Sequence, residues 1–296
     1  MVAEELHRIC QVCNAKVPGP VSLKYNKFGD LYGQKVAFIH CDECGFTSAP
    51  ENRLYPGCAP LWSEKHHFRA GSEDAPGREF YMAVMGYEIM QLAGIACESV
   101  LIFGAGNSVS HAHLKKRFQN LEIRICDLSN SQNAENFIPP DSNTTFDIVI
   151  ACEVVEHFTN IREHFTNLLS KVSGSGLVII STDISANENW AESMYPFIPD
   201  HTAYYSGRSL RLAIERFDKA MLVDFRVPEG LGKNKRYAIC YKDSRLMSAI
   251  SEHFSTHFMA PSEQRAPLSL WMRLRRFGFR YLRYLKISWM TVHSKA

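Results

Sequence analysis

The chain has 296 residues, of which 46% are hydrophobic and 22% charged, a composition typical of a folded globular protein. It contains no apolar run of membrane-spanning length, and its acidic start is unlike a signal peptide, so we expect a cytoplasmic protein. The net charge of +2 hides an asymmetry, because residues 264–296 carry eight basic residues and no acid. The rest of the chain is therefore acidic, which excludes a general polyanion binder.

The nine cysteines form an odd set that indicates a reduced protein, and four of them occur as C-x2-C pairs. The pairs are Cys10 with Cys13 and Cys41 with Cys44. Each pair can form a turn whose N–H groups point at the thiolates, and Gly45 suits the left-handed residue of such a turn. We expect a structural zinc site in a β-hairpin unit over residues 1–50 that is too poor in core to fold alone. A redox pair is the alternative, and His7 and His40 are expected to be exposed rather than ligands.

Residues 51–77 are rich in proline, glycine and charge and are predicted to form a linker. This linker either packs on the larger domain or acts as a lid, with basic and aromatic side chains at Trp62, His66, His67 and Arg69. From Pro76, which suits the first turn of a helix, the spacing predicts a helix over Arg78–Leu92. The residues at helical spacing are Phe80, Val84, Tyr87, Met90 and Gln91. We expect this helix to lie over a sheet.

A strand, a glycine turn and a helix follow one another from Val100. The apolar run Val100–Phe103 predicts a buried parallel strand that leads into Gly104-Ala105-Gly106, and a helix follows from about Ser108. Such a turn lets the backbone approach a ligand, and the start of the helix offers free N–H donors. The next strand, Leu121–Cys126, is followed by Asp127, whose carboxylate can accept hydrogen bonds from both ribose hydroxyls of an adenosine ligand. A plain tight turn and a surface aspartate are the alternatives.

The rest of the chain continues the alternation of strands and helices. Phe146–Cys152 and Leu177–Ser181 are predicted strands, and Glu153–Ser170 is a predicted helix. Ala220–Phe225 and Arg236–Tyr241 flank a loop and predict an antiparallel hairpin at the sheet edge. Together these elements predict an α/β fold with an open, mostly parallel sheet and helices on both faces.

The ordered segments VLIFGAGNS, ICDLS, FDIVIACEVVEHF and GLVIISTD, with the closing hairpin, resemble class I S-adenosylmethionine-dependent methyltransferases. The resemblance covers about Arg78–Lys242, predicts a Rossmann-like methyltransferase domain over 78–245, and implies S-adenosylmethionine as cofactor. It implies that the glycine turn approaches the methionine part, that Asp127 holds the ribose, and that the tip of the fourth strand lines the methyl-transfer cavity. The implied cofactor-binding residues are Phe103, Gly104, Ala105, Gly106, Asp127, Leu128, Cys152 and Glu153. The preceding cysteine pairs are similar to those of sugar C-methyltransferases and related small-molecule enzymes.

The chain departs from the family pattern at three places. Ile102 stands where an acidic residue is usual, which removes one contact near the methionine amino group. Ser108 replaces the third glycine. Ser129–Thr145, where a helix and the third strand belong, is short and polar, so no adenine-binding residue can be assigned.

Methyl transfer mainly requires positioning of the acceptor and, where needed, removal of its proton. His201 is the candidate base, because it follows Pro199-Asp200 in a loop expected over the cavity and its ordinary pKa suits the task. Its alternative role is a hydrogen bond to backbone, and His157 is expected to border the cofactor. If Glu153–Ser170 is one helix, Glu153, Glu156 and His157 share a face and can bind Mg²⁺ together with His201.

Residues 246–296 form a basic tail with an apolar and aromatic stripe, predicted to be an amphipathic helix. It can contact an anionic membrane face, bind RNA phosphates or pack back on the protein. The sequence favours an enzyme that methylates a small molecule, with a sugar hydroxyl in glycan or natural-product assembly as the leading acceptor and a nucleotide- or lipid-linked sugar as its form. The alternatives are a Mg²⁺-dependent RNA 2′-O-methyltransferase and a non-catalytic binding module.

Overall fold

A computed structural model describes residues 8–24, 33, 35–52, 71–130, 133–184, 193, 195–227 and 235–258. The chain divides into two compact units, Met1–Ile250 and Ser251–Ala296, and every contact given below lies within the first. Among the residues described, no helix is both long enough and apolar enough to cross a bilayer. The sequence predictions that lie outside the described residues concern His7, most of the 51–77 linker with its lid residues, the loop of the closing hairpin and residues 259–296 of the basic tail.

The N-terminal part, the cysteine unit (residues 8–52 as described), consists of short antiparallel strands. These are β1 (Arg8–Ile9), β2 (Lys16–Val17), β3 (Val21–Lys24), β4 (Lys35–His40) and β5 (Thr47–Ser48), followed by a 3-10 turn at Pro50–Asn52. Strand β1 pairs with β2, and β4 pairs with both β3 and β5. The described strands agree with the expected hairpin-rich unit.

The central sheet has seven strands. In chain order the elements are α1 (Arg78–Leu92), β6 (Ser99–Phe103), α2 (Ser110–Arg117), β7 (Glu122–Cys126), β8 (Phe137–Ile138), β9 (Phe146–Cys152), α3 (Ile161–Ser170), β10 (Val172–Asp183), β11 (Ala203–Tyr204), α4 (Gly207–Phe217), β12 (Leu222–Arg226), β13 (Lys235–Tyr241) and α5 (Ser244–Phe258). The strand order is β12-β13-β10-β9-β6-β7-β8, and the five strands from β10 to β8 run parallel. Strand β13 is antiparallel to both of its neighbours. The predicted α/β sheet with a closing hairpin is confirmed.

Helix α1 packs closely on the middle of this sheet. A Cβ at Gly86 would lie 3.1 Å from Ile179 Cδ1 and 3.2 Å from Ile148 Cγ2, so the glycine permits the close approach. The helix has the predicted bounds, but its buried face differs from the predicted stripe. The buried residues are Glu79, Met82, Ala83, Gly86, Ile89 and Met90. Phe80, Val84 and Tyr87 are half-buried and Gln91 is exposed, because the glycine face and not the aromatic one fits the sheet.

The predicted helix over Glu153–Ser170 is wrong in its first half. Glu153 has a left-handed φ of +55°, a short 3-10 turn covers Val155–His157, and α3 begins only at Ile161. Asn160 caps α3 by accepting a hydrogen bond from the Glu163 N–H at 3.3 Å. A left-handed residue and an internal cap both interrupt a continuous helix. Glu153, Glu156 and His157 therefore do not share one helical face.

Between β7 and β9 the described residues contain the third parallel strand, β8, but no helix. The strand has only two residues, Phe137 and Ile138, which pair with Ile125 and Cys126. This agrees with the short, polar stretch expected at Ser129–Thr145.

The segment that follows β10 joins the cysteine unit. Strand β11 pairs with β5, so that one four-stranded sheet has the order β11-β5-β4-β3. The Arg216 guanidinium of α4 donates to the backbone oxygens of Gln11 and Val12, at 3.3 and 2.6 Å. Buried residues of the cysteine unit and of the central sheet also form one hydrophobic cluster.

Candidate active site at the carboxyl edge of the sheet

The glycine turn lies at the carboxyl edge of the parallel strands, the edge at which open α/β sheets bind ligands. Gly104 and Gly106 have φ of +70° and +53°, a region that disfavours other residues. The N–H groups of Gly104 and Ala105 donate to Cys126 O at 2.8 and 3.2 Å, which fixes the turn against the end of β7. A Cβ at Gly104 would lie 2.6 Å from Val154 Cγ2, whereas a Cβ at Gly106 would meet nothing within 4 Å.

Asp127 lies beside this turn. Its Oδ2 accepts a hydrogen bond from the Gly106 N–H and its Oδ1 one from the Leu128 N–H, both at 2.6 Å. The Leu128 side chain is 91% exposed, although it is large and apolar. These features fit an adenosine-bearing cofactor. The Asp127 carboxylate can bind the ribose hydroxyls, the exposed Leu128 side chain can contact the base, and there is open space at Gly106.

The remaining predicted cofactor residues end their strands at the same edge. Phe103 closes β6 and Cys152 closes β9, and both side chains are buried. Ile102, which replaces the usual acid, is fully buried in the core. It therefore offers no polar contact to a ligand at this edge.

The sequence analysis missed Glu79, a buried carboxylate beneath the glycine turn. Its Oε2 accepts hydrogen bonds from Ser108 Oγ and Ser110 Oγ, both at 3.0 Å. Burial raises the pKa of this carboxyl, and the two hydroxyls only partly oppose that effect. The position of Glu79 at helical spacing with Met82 and Gly86 is the signal that could have identified it. The serine in place of the third glycine thus binds a carboxylate supplied by α1.

Glu153, predicted to line the methyl-transfer cavity, is held in an ion-pair network. Its Oε1 accepts a hydrogen bond from Ser181 Oγ at 2.7 Å and lies 3.0 Å from Arg78 Nη1. Its Oε2 pairs with Lys235, which also lies 3.5 Å from Asp183. Two cations, Arg78 and Lys235, therefore pair with Glu153, and its contact with the cofactor stays a prediction.

Glu156 is the second buried carboxylate that follows β9. It accepts hydrogen bonds from Thr182 Oγ1 and from the Tyr195 hydroxyl, both at 3.2 Å. Burial raises the pKa of the Glu156 carboxyl, and the charge of Glu153 adds to that effect.

The two predicted catalytic histidines lie together. The ring centroids of His157 and His201 are 4.9 Å apart. His157 Nδ1 lies 2.9 Å from Asp200 O and His201 Nδ1 lies 3.1 Å from Tyr195 O. Because a carbonyl oxygen only accepts, each Nδ1 is the donor, and Nε2 is the proton acceptor of each neutral ring. The backbone hydrogen bond expected as the alternative role of His201 is present and sets its tautomer.

The environments of the two histidines differ. His201 is 1% exposed and is the last residue of a turn, so it is more deeply buried than the predicted position in a loop over the cavity. His157 is half-buried. Burial acts to lower the pKa of His157, but its hydrogen bonds to Asp200 and the charge of Glu156 outweigh this effect and raise it. More of His157 is therefore protonated at neutral pH than of an ordinary histidine.

Glu156, His157 and His201 form the group at this edge that could hold a cation. Each offers one ligand atom, and these atoms lie within 4.8 Å of one another. Glu153 is outside the group because it is occupied by Arg78 and Lys235. The arrangement thus brings together three of the four residues proposed for Mg²⁺.

The four N-terminal cysteines form a second cluster. The sulfurs of Cys10 and Cys44 are 3.7 Å apart and those of Cys13 and Cys41 are 3.5 Å apart, and all four lie within 4.8 Å. A tetrahedral zinc ion with Zn–S bonds of about 2.3 Å separates its sulfurs by about 3.8 Å. A hydrogen bond from the Cys44 thiol lowers the pKa of Cys10 to about 5, which favours the thiolate that binds metal. The donor set therefore fits zinc.

Two equivalent turns present these sulfurs. Cys10 N donates to Ala15 O and Asn14 N to Cys10 O, at 2.9 and 3.0 Å. Cys41 N donates to Phe46 O and Gly45 N to Cys41 O at the same offsets, each at 2.8 Å. Asn14 and Gly45 have φ of +65° and +73°, so asparagine provides the left-handed residue in the first turn. His40 bonds to Thr47 Oγ1 instead of joining the cluster.

Parts of this chain are similar in sequence to known proteins. A family model described as a methyltransferase domain matches residues 65–222. A ubiquinone biosynthesis O-methyltransferase of Rickettsia conorii is 32% identical over 72 residues, which cover 22% of this chain and 25% of that protein. Its counterpart in Rickettsia bellii is 24% identical over 115 residues, 37% of this chain and 40% of the relative. The chain thus spans about a quarter to two fifths of these curated relatives.

Two solved structures are similar at lower identity. An O-methyltransferase family protein from Burkholderia thailandensis is 12% identical with a TM-score of 0.41, covering 54% of this chain and 57% of that one. The plantazolicin methyltransferase BamL, in complex with a triazolic desmethylPZN analog and SAH, is 12% identical with a TM-score of 0.40, covering 60% of this chain and 78% of that one. The family match includes the glycine turn, Asp127 and both histidines.

Proposed function

The chain belongs to the methyltransferase-domain family, and on that premise we propose that it transfers a methyl group from S-adenosylmethionine to an oxygen of a small molecule. One observation carries the proposal. The glycine turn with Asp127 and the paired rings of His157 and His201 lie at the same carboxyl edge of one sheet. A cofactor site and a proton acceptor at one edge are what an O-methyltransferase requires.

The residues divide the work between cofactor and acceptor. S-adenosylmethionine, when bound, supplies an electrophilic methyl group for in-line displacement. Asp127 accepts hydrogen bonds from the ribose hydroxyls, and the glycine turn brings the backbone close to the methionine part of the cofactor. His201 takes the acceptor's hydroxyl proton at Nε2, because its Nδ1 proton is directed to Tyr195 O. Because the pKa of His157 is raised, a smaller fraction of it is neutral and able to take a proton at neutral pH than of an ordinary histidine, and we assign it the role of orienting His201.

We propose a sugar hydroxyl, in a nucleotide- or lipid-linked sugar, as the acceptor. The similarity of the cysteine pairs to those of sugar methyltransferases supports this choice. A sugar hydroxyl is also a weaker acid than a phenol, so its methylation depends more on a neighbouring base that removes the proton. The names of the Rickettsia relatives make a phenolic hydroxyl the acceptor to test beside it.

The test begins with calorimetric titration of S-adenosylmethionine and S-adenosylhomocysteine into the purified protein. Methyl-labelled cofactor is then incubated with nucleotide sugars, glycosides, dihydroxybenzoates and RNA, with and without Mg²⁺. We expect binding of both cofactor forms and Mg²⁺-independent label on a sugar. If neither cofactor form binds, the proposed methyltransferase activity is refuted. If RNA ribose is labelled in a Mg²⁺-dependent reaction, the proposed sugar acceptor is wrong and RNA takes its place.

A matched pair of variants tests the assigned base. His201→Gln should lower turnover at least about a hundredfold, the usual size of general-base catalysis, without weakening cofactor binding. His164→Gln is the control, a histidine of α3 whose ring packs against Phe158. Equal turnover in the two variants would show that another group removes the proton.

We propose that Cys10, Cys13, Cys41 and Cys44 bind one structural zinc ion. With four protein ligands no coordination position is open for substrate. Metal analysis should find one zinc per chain, and Cys44→Ser should lose the metal and unfold at lower temperature. Cys97→Ser, which changes a half-buried cysteine outside the cluster, is the control. Metal-free protein with unchanged thermal stability would contradict the proposal.

A further inference from the structure

The segment between β10 and α4 carries His201 but has little regular structure. Of its residues 195–206, a 3-10 turn covers Tyr195–Phe197 and β11 adds two more. Asp200 has a left-handed φ of +70°, which interrupts regular structure in this segment. The buried backbone groups of such a segment need hydrogen-bond partners from elsewhere. Those partners determine how firmly His201 is placed.

The cysteine unit provides many of these partners. Strand β11 pairs with β5, and Ala49 N donates to Thr202 O at 2.8 Å. Asn52 O accepts a hydrogen bond from Asp200 N at 2.8 Å. Further along, Ser206 Oγ donates to Cys44 O, also at 2.8 Å, which connects the cap of α4 directly to a cysteine turn. The segment therefore lies against the cysteine unit along its described length.

The side chain of Asn52 makes the contact nearest to His201. Asn52 is buried, and its Nδ2 donates to Ile198 O at 2.8 Å and to His201 O at 2.9 Å. His201 N donates to the same Ile198 O at 3.2 Å, which closes the turn from Ile198 to His201. Because one amide group binds the carbonyls of both the first and the last residue of the turn, the turn cannot rotate without breaking two hydrogen bonds.

This turn sets the orientation of both rings. Asp200 O, inside the turn, accepts from His157 Nδ1 at 2.9 Å, and His201 stands at its end. We propose that Asn52 is a positioning residue, through which the cysteine unit holds the Ile198–His201 turn and thereby presents His201 and His157 to the acceptor. The inference rests on the proposed function for the role of the histidines, and the contacts of Asn52 stand independently of it.

The experiment compares Asn52→Ala with Asn136→Ala in the full-length, zinc-containing protein. Asn136 Nδ2 donates to Ile123 O at 3.1 Å, so the control loses a similar amide-to-carbonyl bond elsewhere in the chain. In Asn52→Ala, the amides of Asp200–Thr202 should exchange with solvent at least about tenfold faster. The ring NMR signals of His157 and His201 should shift, whereas those of His111 and His113 should not. The dissociation constant of S-adenosylmethionine should stay within about twofold.

Unchanged ring signals and unchanged exchange in Asn52→Ala would overturn the inference. If that variant does not fold, the wild-type protein decides: amides of Thr47–Ala49 and of Asp200–Tyr204 should open to exchange with the same free energy. Opening of the second group together with β9 instead would overturn the inference. If the ring signals respond to Asn52→Ala in a protein that binds no S-adenosylmethionine, the positioning role holds and the proposed function fails.

Discussion

The Gly106 N–H donates a hydrogen bond of 2.6 Å to Asp127 Oδ2, although the two residues are 21 positions apart. The bond connects the glycine turn after β6 to the tip of β7. Asp127 Oδ1 accepts a second bond from Leu128 N, so the carboxylate is oriented before any ligand arrives. Each carboxylate oxygen has a further lone pair, which a ribose hydroxyl can use.

Asp127→Asn should weaken the binding of S-adenosylmethionine at least about tenfold, because a hydrogen bond to a charged group contributes about 1.5–3 kcal/mol. The substitution keeps the shape of the side chain but removes its charge and places N–H groups where acceptors are needed. Calorimetry measures the affinity, and Asp141→Asn, an exposed aspartate after β8, is the control. Equal affinities for S-adenosylmethionine in the two variants would show that Asp127 does not bind the cofactor.

Gly104→Ala should destabilise the protein, and Gly174→Ala should not. The added Cβ at Gly104 would lie 2.6 Å from Val154 Cγ2 on a backbone with φ of +70°, whereas at Gly174 it would meet nothing within 4 Å. Overpacking and the left-handed backbone together should lower the free energy of unfolding by about 2–4 kcal/mol. Chemical denaturation measures the difference. Equal stability of the two variants would mean that the turn can relax away from Val154.

Glu79→Ala should lower the free energy of unfolding by about 2–4 kcal/mol, because the buried hydroxyls of Ser108 and Ser110 would both lose their acceptor. Glu79→Gln should cost less, since its amide oxygen can still accept. Glu88→Ala, at the half-buried second acid of the same helix, is the control for the loss of an acidic side chain. Chemical denaturation at neutral pH tests the order, and a loss in Glu79→Ala no larger than in Glu88→Ala would contradict it.

The raised pKa of His157 predicts a pH dependence of stability. The native state holds this proton more tightly than the unfolded chain does, because in the unfolded chain the pKa of His157 has its ordinary value of 6.5. The stabilisation is therefore complete below pH 6.5 and is lost as the pH rises through the higher native pKa. The free energy of unfolding should fall over that interval in the wild type and in His164→Gln. In His157→Gln the fall should be smaller, and an unchanged fall would assign the proton to another group.

The sequence was sufficient for the features that depend on local patterns. Continuous apolar runs such as Val100–Phe103 predict strands buried on both faces, and helices do cover both faces of this sheet. Residue type and spacing make the glycines at 104 and 106 and the acid at 127 candidates for a cofactor site, and the family resemblance assigns their roles. Their positions follow from the alternation of strand, turn and helix, which brings the ends of parallel strands to one edge.

Errors arose where a local pattern competes with tertiary contacts. The stretch from Glu153 has helical spacing, yet Glu153 takes a left-handed conformation in which it meets Arg78 and Lys235. Glu79 was missed because its role follows from Ser108 and Ser110, which belong to a different part of the chain. In both cases the deciding partner is a charged or polar group distant in sequence, whose burial requires pairing.

The sequence by itself determined the sheet, the glycine turn and the four-cysteine set, because periodicity, glycine and ligand spacing act over a few residues. Only the tertiary structure placed β11 beside β5 and joined Asn52 to the turn of His201, 149 residues away. Two-residue strands and a lone amide carry too little local preference to select a partner. Burial selects it, because the backbone groups of the His201 segment must find hydrogen bonds wherever the packed core brings them.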